Sequence, residues 1–400
     1  MNFELIEYHF YLCLIILVIK FFINGWKDHL TYFILFYFFF SMGPILNLIL
    51  GNGIYFGTPK DYIHIASTNF LCAIATMSIL SVLIRPRNTE IEEVRENFPL
   101  LNWIFIAFIF LAFFNITKIV TIGLNIDKVT KISLIGNSIH YIYLLLQLFL
   151  TSFYYLCRKN KTRKFYYLNF FTYIAYCLVT GERDFIFPLF SIVGHLLIHH
   201  RTSFKKKLIL TSSLSLLGIG GTLIFLLRDA TQKTTNYIES FLNQGSLLFV
   251  NAFTAKMVDI KYNFFYGETY LHSFLSLLPS FIYKSSYNNL AWLKDNYAPG
   301  GDSGYGFGLD AEGYMNFGYI GVIITFAIIV LIQRYCNYNI NRGKFFKYYS
   351  VFFHGFTMYC FRNDSLAFFK GNLYAIIIYF IIIQANNFIT KGQGKVATHE

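Results

Sequence analysis

The chain is short of charge: Lys, Arg, Asp and Glu make up 14% of its 400 residues, against about a quarter in an ordinary soluble domain. So few charges cannot clothe a soluble fold of this length, and that class is set aside. Metal-site cysteine spacing is missing too. The six cysteines (Cys13, Cys72, Cys157, Cys177, Cys336, Cys360) all fall within or beside apolar runs and read as small buried hydrophobes. The first residues, MNFELIEYHF, have neither a basic stretch nor a small-residue cleavage site, so removal of a signal peptide is not expected. Neither an internal repeat nor a separate soluble domain is evident.

What the chain has in abundance is apolar and aromatic surface: 56% hydrophobic residues, with 47 Phe and 31 Tyr. Apolar windows fall near 5–23, 30–50, 63–84, 100–121, 136–157, 165–180, 185–199, 207–227, 318–336, 346–361 and 366–388. Lipid offers an unpaired backbone group nothing to bond, so each window must be helical. The expected fold is an all-α polytopic membrane protein, a single transmembrane domain over residues 1–400 with eleven spans, or twelve if one more hides near the start.

The net charge of +12 would suit a polyanionic partner, but its placement speaks against nucleic acid. The basic residues cluster between apolar runs: RKNKTRK at 158–164, RTSFKKK at 201–207, then Arg334, Arg342, Lys344 and Lys347. That is the mark of cytoplasmic loops. With those clusters inside, alternation puts 85–97, 333–345 and the C-terminal tail inside as well. Residues 228 to about 316 become one long loop outside, with six basic and eight acidic side chains. A loop of that length is usually functional. Within it GETYLHSFLSLLPSFIYK (267–284) is apolar at helical intervals, suited to lying along the membrane surface.

Three arginines stand at outer helix ends. Arg183, in TGERDFIFPLF, lies between windows of about 16 and 15 residues; at about 1.5 Å per residue neither reaches across a core about 30 Å thick. The GERD turn is therefore expected below the outer surface. Arg228 opens the long loop, and Arg362 follows another short window in MYCFRNDSLAFF. A guanidinium fork suits phosphate oxygens and stays charged when partly desolvated. The three are expected to converge on one cavity. The plainer account is snorkelling, or pairing with the adjacent Asp184, Asp229 or Asp364.

The second concentration of polar groups is GGDSGYGFGLDAEGYMNFG, at the mouth of an apolar helix. Its glycines permit close backbone approach to a ligand. Tyr305, Phe307 and Tyr314 offer rings for stacking on sugar faces, and Asp302, Asp310 and Glu312 are candidate bases. Glu312 and Asn316, four apart, share a helical face, and Asn316 also fits an N-cap of the span that follows. Asp310 and Glu312 point apart on a helix and lack a third ligand, so no metal is expected. His272 is a further candidate base in the amphipathic segment.

Taken together, these stretches resemble the O-antigen polymerase (Wzy) family. The resemblance rests on the Gly-x-Arg turn of TGERDFIFPLF, on E-x-x-x-N-F-G-x-x-G at Glu312, Asn316, Phe317, Gly318 and Gly321, and on Arg362 after the penultimate window. Arg183 and Gly194 also match an R-x10-G pattern, whereas eleven residues beyond Arg228 stands Glu239. The resemblance implies a multi-pass bacterial inner-membrane glycosyltransferase of GT-C-like architecture with its active site facing the periplasm. Its reaction would move a growing glycan en bloc from undecaprenyl diphosphate onto a new lipid-linked repeat unit, with inversion. It implies no cofactor, lipid-linked oligosaccharides as partners, and a separate chain-length regulator. On this sequence Arg183 and Arg362 would serve the diphosphates, Arg228 would assist, and Glu312 would be the base or hold the acceptor. Asp310, Asn316, Tyr314 and His272 would contact substrate. The rival readings are an O-antigen ligase acting on lipid A core, and a transporter or flippase. The last calls for midplane charges and inverted repeats, and neither is evident.

Overall fold

The computed structural model describes residues 3–53, 57–86, 90–92, 94, 96, 98–124, 126, 128–157, 162–199, 242, 247–261, 263–284, 287–297 and 306–396. Arg228, Asp302, Tyr305, the window 207–227 and the cluster 201–207 lie outside them. Among the described residues the chain is helical, with no strand. The helices are α1 (Phe3–Asn24), α2 (His29–Ile49), α3 (Ile63–Leu83), α4 (Pro99–Ile122), α5 (Lys128–Ile135), α6 (Asn137–Thr151), α7 (Tyr154–Cys157), α8 (Arg163–Thr180) and α9 (Ile186–His199). They continue with α10 (Leu247–Lys261), α11 (Glu268–Leu275), α12 (Asn289–Tyr297), α13 (Leu309–Asn339), α14 (Lys344–Cys360) and α15 (Ser365–Val396).

Six of these stretches are long and apolar enough to cross a membrane: Phe3–Asn24, His29–Ile49, Lys60–Leu83, Pro99–Ile122, Leu309–Asn339 and Ser365–Thr390. A seventh is reached if α5 and α6, bent by 91° at Gly136, count as one broken span. The described residues thus show six or seven spans, where the sequence windows suggested eleven. One of the eleven windows, 207–227, lies outside the described residues; for the other three the difference has a physical origin. Helices α8 and α14 are neither both long and apolar enough to cross alone, and α9 has 14 residues. The inward face of α8 is polar: Tyr166, Asn169, Thr172, Tyr173 and Tyr176 are buried, and Asn169 exchanges hydrogen bonds with Gln147 of α6 at 2.8 and 3.0 Å. That face is held by protein, while Leu168, Phe171 and Leu178 on the other are exposed.

Two compact units make up the chain. The first comprises Met1–Arg87, Thr234–Tyr335 and Thr357–Asn372. Here α1 lies along α2 and α3, and α10 packs against α2 and α3. Every residue of α10 from Leu247 to Ala255 is buried, as in a helix enclosed on all sides. The segment that reads as an outer loop therefore carries a core helix. At one end of this unit Arg334 forks onto Asp28 with both nitrogens at 2.7 and 2.9 Å, and also donates to the Ser81 carbonyl at 3.0 Å. Lys20 reaches the same carboxylate at 2.7 Å, and all three charged side chains are buried. Arg334 is thus not a loop cation, as its place in a basic cluster suggested; its charge is internally compensated. Asp28 also caps α2 by accepting the Leu30 N–H at 3.0 Å.

The second unit comprises Asn88–Lys233, Cys336–Phe356 and Leu373–Glu400. Helix α4 packs on α8, and α9 meets α14 closely enough for the Ser191 hydroxyl to donate to the Val351 carbonyl at 2.6 Å. Gly355 makes that approach feasible, since a Cβ there would lie 3.0 Å from the Phe187 carbonyl oxygen.

Candidate functional site

The E-x-x-x-N-F-G-x-x-G stretch is a fold-back. Helix α13 breaks at Phe317 (φ −141°, ψ 21°) and Gly318 (φ 62°, ψ −148°), and a left-handed φ is the reason for glycine at 318. The first turns, from Leu309, then lie against the beginning of the long helix. The contact is backbone to backbone: a Cβ on Gly321 would stand 2.0 Å from the Gly313 carbonyl oxygen, and one on Gly313 would stand 2.9 Å from the Val322 nitrogen.

Glu312 and Asn316 share a face, and that face is satisfied by other segments of the first unit. The Glu312 carboxylate accepts the Ser365 backbone N–H at 2.6 Å, the Ser365 hydroxyl at 2.7 Å and the Thr269 hydroxyl at 2.8 Å. It thereby ties α13 to the first residue of α15 and to α11, and its side chain has no exposed surface. A carboxylate at a helix N-terminus meets both an orphan N–H and the positive end of the dipole. The Asn316 amide donates to Thr269 at 2.7 Å and to the Glu312 carbonyl at 2.8 Å, while its oxygen accepts the Gly267 N–H at 2.9 Å. Asn316 thus clamps the segment before α11 instead of capping the following span. The backbone joins in: Phe265 and Tyr266 donate to the carbonyls of Met315 and Asn316.

The turn before α15 carries Arg362 and Asp364. The Arg362 guanidinium lies 5.2 Å from the centre of the Phe40 ring, a cation–π position. The tail of the glycine-rich run passes directly over this turn, since a Cβ on Gly306 would meet the Arg362 carbonyl oxygen at 2.1 Å. Asp364 caps α15, accepting the Ala367 N–H at 3.0 Å, and its other oxygen faces the Asn289 amide at 3.5 Å. Burial raises the Asp364 acid above the usual aspartate value.

The other anticipated residues take different places. Asp310 is fully buried and accepts the Tyr37 hydroxyl at 2.5 Å and the Ala311 N–H at 2.8 Å. Tyr314 packs between Phe264 and Tyr319, nearly enclosed. Phe307, expected to stack on a sugar, is buried against Trp292. His272 is 23% exposed, paired to Glu268 and hydrogen-bonded to the Tyr283 hydroxyl. Its ring stacks on Tyr287, whose hydroxyl donates to Asn289 at 2.8 Å. A line of contacts therefore runs from His272 through Tyr287 and Asn289 to Asp364. Burial, then the charges of Glu312, Asp364 and Glu268, raises the Tyr287 phenol. Around α11 the surface is strongly apolar, with Leu271, Phe274, Leu278, Phe281 and Ile282 exposed.

Arg183 belongs to the second unit and Arg362 to the first. The GERD turn begins with Gly181 in the left-handed region (φ 76°) closing α8. Its buried charged residue is Glu182, which takes Lys128 at 2.7 Å and the His140 Nε2 at 3.1 Å. The other His140 nitrogen meets the Tyr176 hydroxyl at 2.7 Å. Burial works to raise the Glu182 acid, but His140 and Lys128 together hold it below the usual carboxylate range. Arg183 and Asp184 are partly exposed, and the backbone of both supports the start of α9 through bonds to Ile186 and Phe187.

Reasoning from spacing passed over Thr269, Ser365, Lys128 and His140, and took Asp364 only as a neighbour able to pair with Arg362. Of these only the Asp364-Ser365 pair carried a readable signal, an N-cap pattern before an apolar run. The others are single residues in apolar or amphipathic stretches.

The O-antigen polysaccharide polymerase Wzy family model matches residues 1–393, essentially the whole chain. Neither a curated protein nor a solved structure matches it.

Proposed function

The chain belongs to the O-antigen polysaccharide polymerase Wzy family, and from that premise we propose that it joins undecaprenyl-diphosphate-linked repeat units at the periplasmic face of a bacterial inner membrane. In this reading the hydroxyl of an incoming lipid-linked unit attacks the anomeric carbon of the growing glycan. The bond from that carbon to the diphosphate oxygen breaks, its electron pair stays on the diphosphate, and attack from the opposite side inverts the centre. Preorganised guanidinium groups suit the charge that builds on the leaving diphosphate. Arg362 and Arg183 take that role, with Arg228 assisting.

The observation that carries the reading is the turn at Arg362. It is held by Glu312 through Ser365, closely approached by the Gly306 backbone and flanked by a carboxylate. Within this proposal Glu312 and Asn316 hold the turn and α11 in place, and Asp310 and Tyr314 form the wall behind them. His272, the more exposed group, contacts the acceptor. The exposed apolar residues around α11 favour a membrane-surface position. A GT-C-like arrangement of the spans, a periplasmic loop from 228 to 316 and a chain-length regulator complete the proposal.

The test is incubation of purified protein with defined lipid-linked repeat units. A ladder of polymer supports the reading; folded protein that yields none overturns it, and single-unit transfer to lipid A core would reassign the chain as a ligase. Arg183→Ala and Arg362→Ala are each expected to lower kcat/KM by about 10²–10³, the scale of losing one stabiliser of developing charge. Full polymer length at normal expression would remove the role from the residue concerned.

A further inference from the structure

We propose that Asp364 is the general base that takes the proton from the acceptor hydroxyl. The assignment rests on the polymerase reading above and deepens it.

Two carboxylates stand at the start of α15, and their surroundings divide the work. Glu312 has no exposed surface and three short hydrogen bonds, so an incoming hydroxyl has no path to it. Asp364 is partly exposed. One of its oxygens is engaged by the Ala367 N–H; the other has only the 3.5 Å approach of Asn289, a contact at the weak limit of a hydrogen bond. That second oxygen is the one able to accept a new donor. Among the described residues no ion pair occupies Asp364.

Position favours the same residue. Arg362 and Asp364 are two apart in one turn, which puts their Cα atoms at most about 7 Å apart. A guanidinium for the leaving diphosphate and a carboxylate for the attacking hydroxyl would then project from a single anchored piece of backbone. Glu312 supplies the anchor, because it binds both the N–H and the hydroxyl of the next residue, Ser365. The acid strength is suited as well: burial lifts Asp364 toward the working pH, where a carboxylate is a better base. In the step, the hydroxyl O–H bond breaks and its proton passes to the free Asp364 oxygen. The new C–O bond forms as the bond to the diphosphate breaks, and the carboxylic acid gives up its proton to water after product leaves.

Asp364→Asn separates this role from helix capping. Asparagine caps as well as aspartate, yet cannot take the proton. With purified full-length protein and defined undecaprenyl-diphosphate-linked units, the variant is expected to keep its melting temperature and its binding of the lipid-linked unit. Its polymerisation rate should drop by about 10²–10⁴. A variant polymerising at the wild-type rate overturns the assignment, while the wild-type ladder leaves the polymerase reading standing; no ladder from the wild type sinks that reading instead.

A pH profile supplies the second measurement. The groups facing Asp364 are Glu312 from α13, Tyr287 just before α12, Asn289 at its first position, Cys360 at the end of α14 and Lys370 on its own helix. The wild-type rate should fall on the acid side as Asp364 protonates, and Asp364→Glu should move that limb. An acid limb unmoved in Asp364→Glu counts against the proposal, and this test remains available if the asparagine variant fails to fold.

Discussion

Glu312 accepts the backbone N–H of Ser365 at 2.6 Å, across a sequence separation of 53 residues. One carboxylate thus joins the fold-back of α13 to the start of α15. Removing it leaves a buried donor unpaired, at a cost of about 1–3 kcal/mol. Glu312→Ala is expected to lower the melting temperature in detergent and to abolish polymer. Glu312→Gln keeps a carbonyl for the Ser365 N–H and should melt close to the wild type. Equal destabilisation by both would show that charge, rather than the hydrogen bond, makes the tie.

The fold-back also depends on the absence of a side chain. A Cβ at Gly321 would lie 2.0 Å from a backbone oxygen, whereas one at Gly343 meets nothing within 4 Å. Gly321→Ala is expected to cost at least the about 1–3 kcal/mol of ordinary overpacking, because neither backbone can rotate away, and to end activity. Gly343→Ala should leave both stability and activity unchanged. Comparing the two melting curves and product ladders checks the expectation.

The Asp28–Arg334–Lys20 cluster makes a graded prediction. Breaking a buried pair by removing one partner costs about 3–5 kcal/mol. Asp28→Ala leaves two buried cations facing each other and should be the most damaging. Arg334→Met follows, and Lys20→Met, which spares the two-pronged Arg334 contact, should be the mildest. Yield and melting temperature of the three variants would reveal the order, and a Lys20→Met protein as unstable as Asp28→Ala would contradict it.

Glu182 ties stability to pH. Its acid is depressed in the folded protein by His140 and Lys128. The stabilisation is therefore fully present above the unfolded glutamate value, about 4.3, and is lost as pH falls from there through the folded value. Glu182→Gln should be less stable than the wild type at neutral pH, with the gap closing as the solution is acidified. Melting temperatures at pH 7 and at a pH near the folded value, about 2, test this; a constant difference would mean that Glu182 is not the titrating group.

Arg362, the glycines and the Glu312–Asn316 pairing were legible in the chain because each leaves a local mark: a charge beside an apolar run, or a fixed interval. Their partners were not. Thr269 and Ser365 are unremarkable in composition and become significant only where α11 and α15 meet α13. Arg334 shows the opposite hazard, since it sits in a basic cluster yet reaches back 306 residues to Asp28.

The sequence alone determined that this is a helical membrane protein, because scarce charge and repeated apolar runs leave the backbone no other way to bond within lipid. Tertiary structure decided which helices have lipid-crossing length, which acids are sealed and which one keeps an open oxygen. Those outcomes depend on hydrogen bonds and burial between segments tens to hundreds of residues apart, and no local spacing encodes them.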